Sequence, residues 1–337
     1  MNYCKNCGLP ENYQGIHLDE NGVCNFCHFY DKHRERLNDF GALEKEFCAH
    51  IEKAKEEAKR QGSKYDCLVG ISGGKDSTYI VYQLKHTYGC RVLTFTLDNG
   101  FSTDYGKNNI TNALEKLDVD YLRIVPRESL LRDYYTKSVK LMHNFCSVCF
   151  HLMHYYSYLI ASQYKIPLIV NGRTQGQVLQ GADHERGIEP FEFSHSLKEF
   201  EYQMFGRLVD KLDGYSCIDL LHGVKAEAIS YFMYHDVSEQ ETIEFLEKAI
   251  GWVRPKAGVP HADCWAHALA EKMSLEKHGY PVRTGEMGVE VRRGRISKEE
   301  AAQILEKDRE HYSEVDPELV QRFYDRIDNS AYKKKEA

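Results

Sequence analysis

Six consecutive residues, Ser72-Gly73-Gly74-Lys75-Asp76-Ser77, carry the densest chemistry of this 337-residue chain. They follow a mostly apolar run at 66–71 and precede a helix-compatible one from Thr78 to Leu84. A glycine turn between an apolar strand and a helix suits phosphate. Glycine admits close backbone approach, and a helix start presents unpaired N–H groups with a partial positive charge. Lys75 adds a mobile cation, and Ser72 and Ser77 add hydroxyl donors. Asp76 would repel a phosphate unless a metal or a reacting proton sits beside it. The pattern therefore points to chemistry on a nucleotide rather than simple binding. The Gly-x4-Gly-Lys-Ser/Thr spacing of a Walker A loop is absent.

Cysteine is the second chemical resource, with eleven in the chain. Cys4-x2-Cys7 and Cys24-x2-Cys27 have the two-knuckle spacing of a structural Zn2+ site with four thiolates, and rubredoxin-like iron fits the same spacing. The segment Gly8 to Val23 between them is polar and contains Asp19-Glu20-Asn21-Gly22, a hairpin-turn sequence. So small a segment buries little core, so metal must supply its folding energy. A second set comprises Cys146-Ser147-Val148-Cys149 and the distant Cys217 and Cys264. Three thiolates can hold a [4Fe-4S] cluster with one iron left open. Cys264 is the first choice for the third ligand and Cys217 its competitor. A persulfide pair, a second zinc with His143 or His151, and plain packing on a buried helix are the other readings of Cys146 and Cys149. Cys48, Cys67 and Cys90 read as structural.

The elements that must position these groups follow from periodicity. Residues 32–62, with Leu37, Leu43, Phe47 and Ile51 at helical intervals, predict a helical linker ended by Gly62-Ser63. Beyond it, strand and helix patterns alternate. Strands are expected at 66–71, 91–97, 121–125 and 168–170, with helices from about 105 to 117 and, as one long stretch, from 129 to 164. Alternation of this kind predicts an α/β fold, a doubly wound parallel sheet with ligands at the carboxyl ends of its strands. That rim would hold Asp98, Asn99 and Gly100 together with Asn171 to Thr174. Asp98 either touches the nucleotide or its metal, or caps its own turn; Gly172 and Arg173 suit phosphate better. Gln175, Gln177 and Gln180 are substrate contacts or ordinary loop groups. The aromatic pieces 191–193 and 200–205 suggest helices over the rim, and Tyr231 to Tyr234 reads as a strand or a helical turn. The expected organisation is a metal-binding module at 1–31, the linker at 32–63, a nucleotide-binding core at 64–182 and a mostly helical region at 183–337 that completes the site.

The loop 72–77 matches the SGGxDS signature of the PP-loop ATP pyrophosphatases, the adenine nucleotide α-hydrolase superfamily, at all six positions. The resemblance implies cleavage of ATP between its α and β phosphates and transfer of AMP to a carbonyl or carboxylate oxygen. It implies that Ser72, Gly73, Gly74 and Ser77 hold the departing pyrophosphate and that Lys75 neutralises it. Asp76 would assist adenylation through Mg2+. The segments 3–10, 17–24 and 288–301 resemble N-acetyl sugar amidotransferases of surface-polysaccharide biosynthesis, so the likeness touches both ends of the chain. The Cys146-x2-Cys149 pair with a later cysteine resembles PP-loop tRNA thiolation enzymes, with Cys146, Cys149 and Cys264 as cluster ligands.

Composition bounds the rest. Hydrophobic content of 42% and charged content of 28% are those of a globular protein, and no apolar run has membrane-spanning length. Cys4 and Cys7 stand where a signal peptide needs an apolar core, so the expectation is a cytoplasmic protein without a membrane partner. A net charge of −7 gives no general attraction to nucleic acid. The short tail Lys333-Lys334-Lys335 reads as a solvated end. Thus a small molecule is at least as good an acceptor as tRNA. The leading expectation is adenylation followed by sulfur insertion from a sulfur donor. Amidotransfer fed by a glutaminase subunit is the alternative, a regulatory nucleotide-binding module is a third reading, and a homodimer is compatible with each.

Overall fold

The computed structural model describes residues 2–180, 190–191, 225–255 and 263–328. Within them lie α1 (Asn25–Asn38), α2 (Phe40–Gln61), β1 (Cys67–Gly70), α3 (Lys75–Tyr82), β2 (Val92–Leu97), α4 (Asp104–Leu117) and β3 (Asp120–Ile124). The chain continues through α5 (Glu128–Met142), α6 (Cys146–Tyr164), β4 (Leu168–Asn171), α7 (Gln175–Leu179), β5 (Glu227–Ser230) and α8 (Tyr231–Tyr234). The last helices are α9 (Glu239–Ile250), α10 (His267–His278), α11 (Thr284–Arg292), α12 (Lys298–Ser313) and α13 (Pro317–Ile327). The expected segments 192–193 and 200–205, Cys217 and the Lys333–Lys335 tail lie outside the described residues.

The five strands form one parallel sheet in the order β3-β2-β1-β4-β5. Both faces are covered, as the uninterrupted apolar strands require. Cys67 and Val69 of β1 face a core with Phe47 and Ile51 of α2, Ile80 and Val81 of α3, and Ala113 and Leu117 of α4. Leu68, Leu93 and Phe95 face Tyr158, Ile160 and Ala161 of α6. This is the doubly wound α/β arrangement expected from the alternating pattern. The order reverses between β1 and β4, so the loops after those strands diverge and leave a crevice at their carboxyl ends.

Two expectations need correction, and a third is decided between its two readings. The stretch 129–164 is two helices, not one. His143 takes a left-handed backbone (φ 48°) that stops α5, and the Asn144 side chain accepts from the Ser147 N–H at 3.0 Å to start α6. Cys146 is thereby at the first position of a helix. The run 32–62 is likewise interrupted at Asp39, whose side chain caps α2 by accepting from Ala42 N at 3.0 Å. The preceding helix begins at Asn25, inside the metal module. Tyr231 to Tyr234 is a helical turn directly after β5, an edge strand too short to stand out as a pattern.

The two chain ends meet. Leu9 packs where a side chain on Gly288 would collide, Asn12 donates to His278 O at 2.9 Å, and Lys298 donates to Lys5 O at 2.6 Å. No helix among the described residues is long and apolar enough to cross a membrane.

One glycine governs the loop 72–77. Gly73 has φ +81°, and a Cβ there would run into the Gly106 carbonyl in the first turn of α4. Gly73→Ala should destabilise the fold by roughly 1–3 kcal/mol through backbone strain alone. Urea unfolding with an unchanged slope checks this, and a neutral variant would show that the loop is free to relax.

Candidate active site at the carboxyl rim

The loop 72–77 joins β1 to α3. Gly74 is the N-cap of α3, so Lys75 and Asp76 occupy its first turn. The loop satisfies its own amides: Ser72 N donates to Ser77 Oγ and Gly74 N to Ser72 Oγ, both at 3.3 Å. Those are long bonds to hydroxyls that a phosphate oxygen can replace. The Gly73 carbonyl accepts from Trp252 Nε1 at 3.0 Å, which fixes the turn from the α9 side. Lys75 Nζ lies 2.9 Å from Asp76 and 3.8 Å from Glu239. Burial disfavours its charge, but the carboxylates outweigh burial and hold its pKa above the ordinary lysine value.

The loop after β4 approaches from the other side of the crevice. A Cβ on Gly172 would lie 3.3 Å from Asp76 Cβ and 3.2 Å from Ile80 Cδ1, so this backbone packs directly on the start of α3. Arg173 donates to Gln177 O at 2.8 Å, and burial lowers its pKa to about 10. A guanidinium held in so dry a place favours an anion beside it. Thr174 and Gln177 form a capping box on α7. Thr174 also donates to Glu286 of α11 at 3.1 Å, and burial raises the Glu286 pKa. Glu286 escaped the sequence reading because it comes from a helix more than a hundred residues away. Gln175 is no rim group. It is buried and donates to Leu37 O at 3.0 Å.

Asp98 lies at the end of β2 in the role of turn cap and ion-pair partner. It accepts from Gly100 N at 3.0 Å and pairs with Arg123. Burial works against its charge, but these partners hold its pKa below the ordinary carboxylate value.

The same loop leads to the central cysteines. Asn99 Nδ2 is 3.1 Å from Cys149 Sγ, and the Tyr135 hydroxyl is 3.2 Å from it on the α5 side. Burial raises the Cys149 thiol pKa, while those two hydrogen bonds lower it in part. Cys264 pairs across an isolated antiparallel bridge with Ser102, just after β2. Burial, with Cys149 next, pushes its thiol up to about 12. Cys146 reaches solvent, yet desolvation of its sulfur, followed by Cys149 and Cys264 nearby, raises its thiol well above the ordinary value. Cys146, Cys149 and Cys264 therefore form one neighbourhood on the rim that also carries the loop 72–77.

The N-terminal cysteines differ in kind. Cys4, Cys7, Cys24 and Cys27 are all buried, and their sulfurs fall within 4.8 Å of one another. The Sγ–Sγ distances are 3.8 Å for Cys4–Cys27 and 3.6 Å for Cys7–Cys24 and Cys24–Cys27. Tetrahedral zinc with Zn–S near 2.3 Å places its sulfurs about 3.8 Å apart, so the set fits a single metal ion. The thiols compete for protons: sharing with Cys24 pulls Cys4 below the ordinary value and pushes Cys27 above it. A dication that takes four thiolates removes that competition. Among the described residues no other three His, Cys, Asp or Glu ligand atoms gather as tightly. The central trio is thus too widely spaced for one ion, whereas the thiolates of a cluster bind different irons. His143 is engaged with Glu276 at 2.9 Å rather than with the cysteines.

No family model matches the sequence. An uncharacterized protein of Methanocaldococcus jannaschii is 25% identical over 250 residues, which cover 74% of this chain and 75% of that protein. Among solved structures, the U34-tRNA thiolase NcsA from Methanococcus maripaludis with its [4Fe-4S] cluster aligns at TM-score 0.37 and 17% identity, over 91% of this chain and 89% of that one. The NMN synthetase from Francisella tularensis aligns at TM-score 0.39 and 12% identity, over 81% and 96%. The NH3-dependent NAD synthetase from Campylobacter jejuni aligns at TM-score 0.37 and 12% identity, over 88% and 96%. These scores are low, and the functional reading rests on the residues of this chain.

Two outcomes are expected. Cys24→Ser should lose about one equivalent of bound metal and melt earlier, as read by metal analysis and thermal unfolding; full metal content in the variant would contradict the four-thiolate site. In metal-free protein, Cys264 should be nearly inert to iodoacetamide at neutral pH, because a raised pKa leaves the thiol protonated. Its alkylation should keep climbing with pH up to about 12, past the point where an ordinary thiol levels off. Peptide mapping across a pH series reads this, and a plateau near pH 9 would refute it.

Proposed function

We propose that this chain is an AMP-forming, pyrophosphate-releasing enzyme of the PP-loop type that adenylates a C=O oxygen of its substrate and then replaces that oxygen with sulfur. One juxtaposition supports the reading: the loop after β2 runs from Asn99, bonded to Cys149, to Thr103, which donates to Asp263 beside the Gly73-Gly74 turn. A phosphate site and three thiols thus share a wall.

The geometry supports the following roles. Ser72, Gly73, Gly74 and Ser77 take the β and γ phosphates of ATP on backbone N–H and hydroxyl donors, and Lys75 and Arg173 balance the charge. Asp76, in the first turn of α3 beside Gly172, would hold Mg2+, which would screen the phosphate charge there. The acceptor oxygen attacks the α phosphorus, the bond to the β phosphate breaks, and pyrophosphate leaves. A donor at the sulfide oxidation level then attacks the activated carbon. The carbon–oxygen bond to AMP breaks, the sulfur proton passes to solvent, and the product carries C=S with no net redox change. A [4Fe-4S] cluster on Cys146, Cys149 and Cys264 would supply an open iron for that donor. Zinc suits the N-terminal thiols as a structural metal. The acceptor is a small molecule or a tRNA.

A second reading, ammonia-dependent amidotransfer to an N-acetyl sugar, draws on the contact between the two chain ends. Leu9 against Gly288 joins the two segments that resemble such enzymes.

Asp76→Asn should lower pyrophosphate release by about 100-fold or more while ATP still binds. Cys146→Ala should keep acceptor-dependent pyrophosphate release and yield no thio product. Mass analysis of the product with sulfide or ammonia as donor separates the readings. Amidine formation, with Cys146→Ala fully active, would overturn sulfur transfer.

A further inference from the structure

Asp263 joins the two halves of the rim. Its carbonyl accepts from Thr103 N at 3.0 Å, and Thr103 is the N-cap of α4. Its Cβ lies 3.2 Å from where a Cβ on Gly106 would sit, and its Oδ2 lies 4.0 Å from the corresponding position on Gly74. A carboxylate thus stands against the turn that receives phosphate in the proposed reaction, and an incoming polyphosphate must either repel it or reach it through a bridging cation. The next residue is Cys264, bridged to Ser102, and the one after is Trp265. Trp265 donates from its backbone to Phe101 O at 2.9 Å and from Nε1 to Gly100 O at 3.1 Å. The segment 263–265 is therefore zipped to the loop 100–103, whose Asn99 end contacts Cys149. Three residues span the distance from the phosphate turn to the thiols, with backbone bonds at each end and no slack between.

We propose that Asp263 is a positioning residue whose charge carries the occupancy of the nucleotide loop to Cys264, so that the third thiol shifts relative to Cys146 and Cys149 when ATP binds. The inference rests on the reading of 72–77 as the ATP site. It assigns Asp263 a role that neither phosphate binding nor thiol chemistry requires by itself. It also makes sulfur delivery conditional on nucleotide, which guards a reactive sulfur against discharge before an acceptor is activated.

Backbone hydrogen exchange tests this, because the Trp265 amide is bonded within the zipped segment. Full-length wild type, Asp263→Asn and Asp263→Glu are compared with and without Mg-ATP, and calorimetry measures binding to each. In wild type, ATP should change the exchange rate of the Trp265 amide by at least about threefold, and in Asp263→Asn by less than about 1.5-fold although ATP still binds. Asp263→Glu keeps the charge and should keep the response. An equal response in wild type and Asp263→Asn would overturn the proposal, since simple shielding by the nucleotide survives that change. Loss of response in both variants would also overturn it, because shape rather than charge would then make the link. If wild type binds ATP with no change at Trp265, the coupling fails while the ATP reading stands. If wild type binds no ATP, both fall.

Discussion

The site depends on how closely the Gly73-Gly74 turn approaches the first turn of α4. Only a residue without a side chain, in a left-handed backbone, lets the Gly106 carbonyl sit against it. The approach is held from outside by Trp252, which donates to the Gly73 carbonyl, and from the rim by Asp263. With the turn pinned, the start of α3 lies at the reversal of strand order, and Lys75 and Asp76 occupy its first turn. Gly172 closes the opposite wall against Asp76 Cβ. Two glycine loops, after the adjacent strands β1 and β4, each bring bare backbone to the start of α3 and α4.

The two cysteine groups illustrate how spacing in space, not in sequence, decides chemistry. Both use a C-x2-C element. In the N-terminal module two such elements face each other, and four buried sulfurs meet at distances one tetrahedral ion dictates. On the rim a single element opens α6, and its partners are a hydroxyl, an amide and one remote thiol. Those sulfurs are half-buried or exposed, and burial keeps them protonated rather than sharing protons tightly. At neutral pH such thiols become thiolates when something cationic takes the proton's place.

The N-terminal four-cysteine module docks on the C-terminal helices. Arg292 of α11 lies over the Phe26 ring, and α11 also delivers Glu286 to the loop after β4. This small four-cysteine module therefore braces a helix that contributes to the rim.

Much of this was legible in sequence. The loop 72–77, its strand and its helix were readable because local chemistry dictates them: apolar residues at strand spacing, glycines at the turn and a helix former after it. The four N-terminal cysteines were legible for the same reason, since metal spacing is a local property. The break between α5 and α6 was less visible, because it depends on His143 taking a left-handed backbone and on one Asn144 cap inside a long helical pattern. Asn99 and Tyr135 against Cys149, Asp263 against Gly74, and Glu286 against Thr174 had no sequence signal at all. The sequence alone determined which chemistry the chain carries, because phosphate turns and thiolate knuckles are written within a few residues. Only the tertiary structure decided which of those groups meet. Residues on different strands and helices come together through sheet order and packing, and no periodicity along the chain records that.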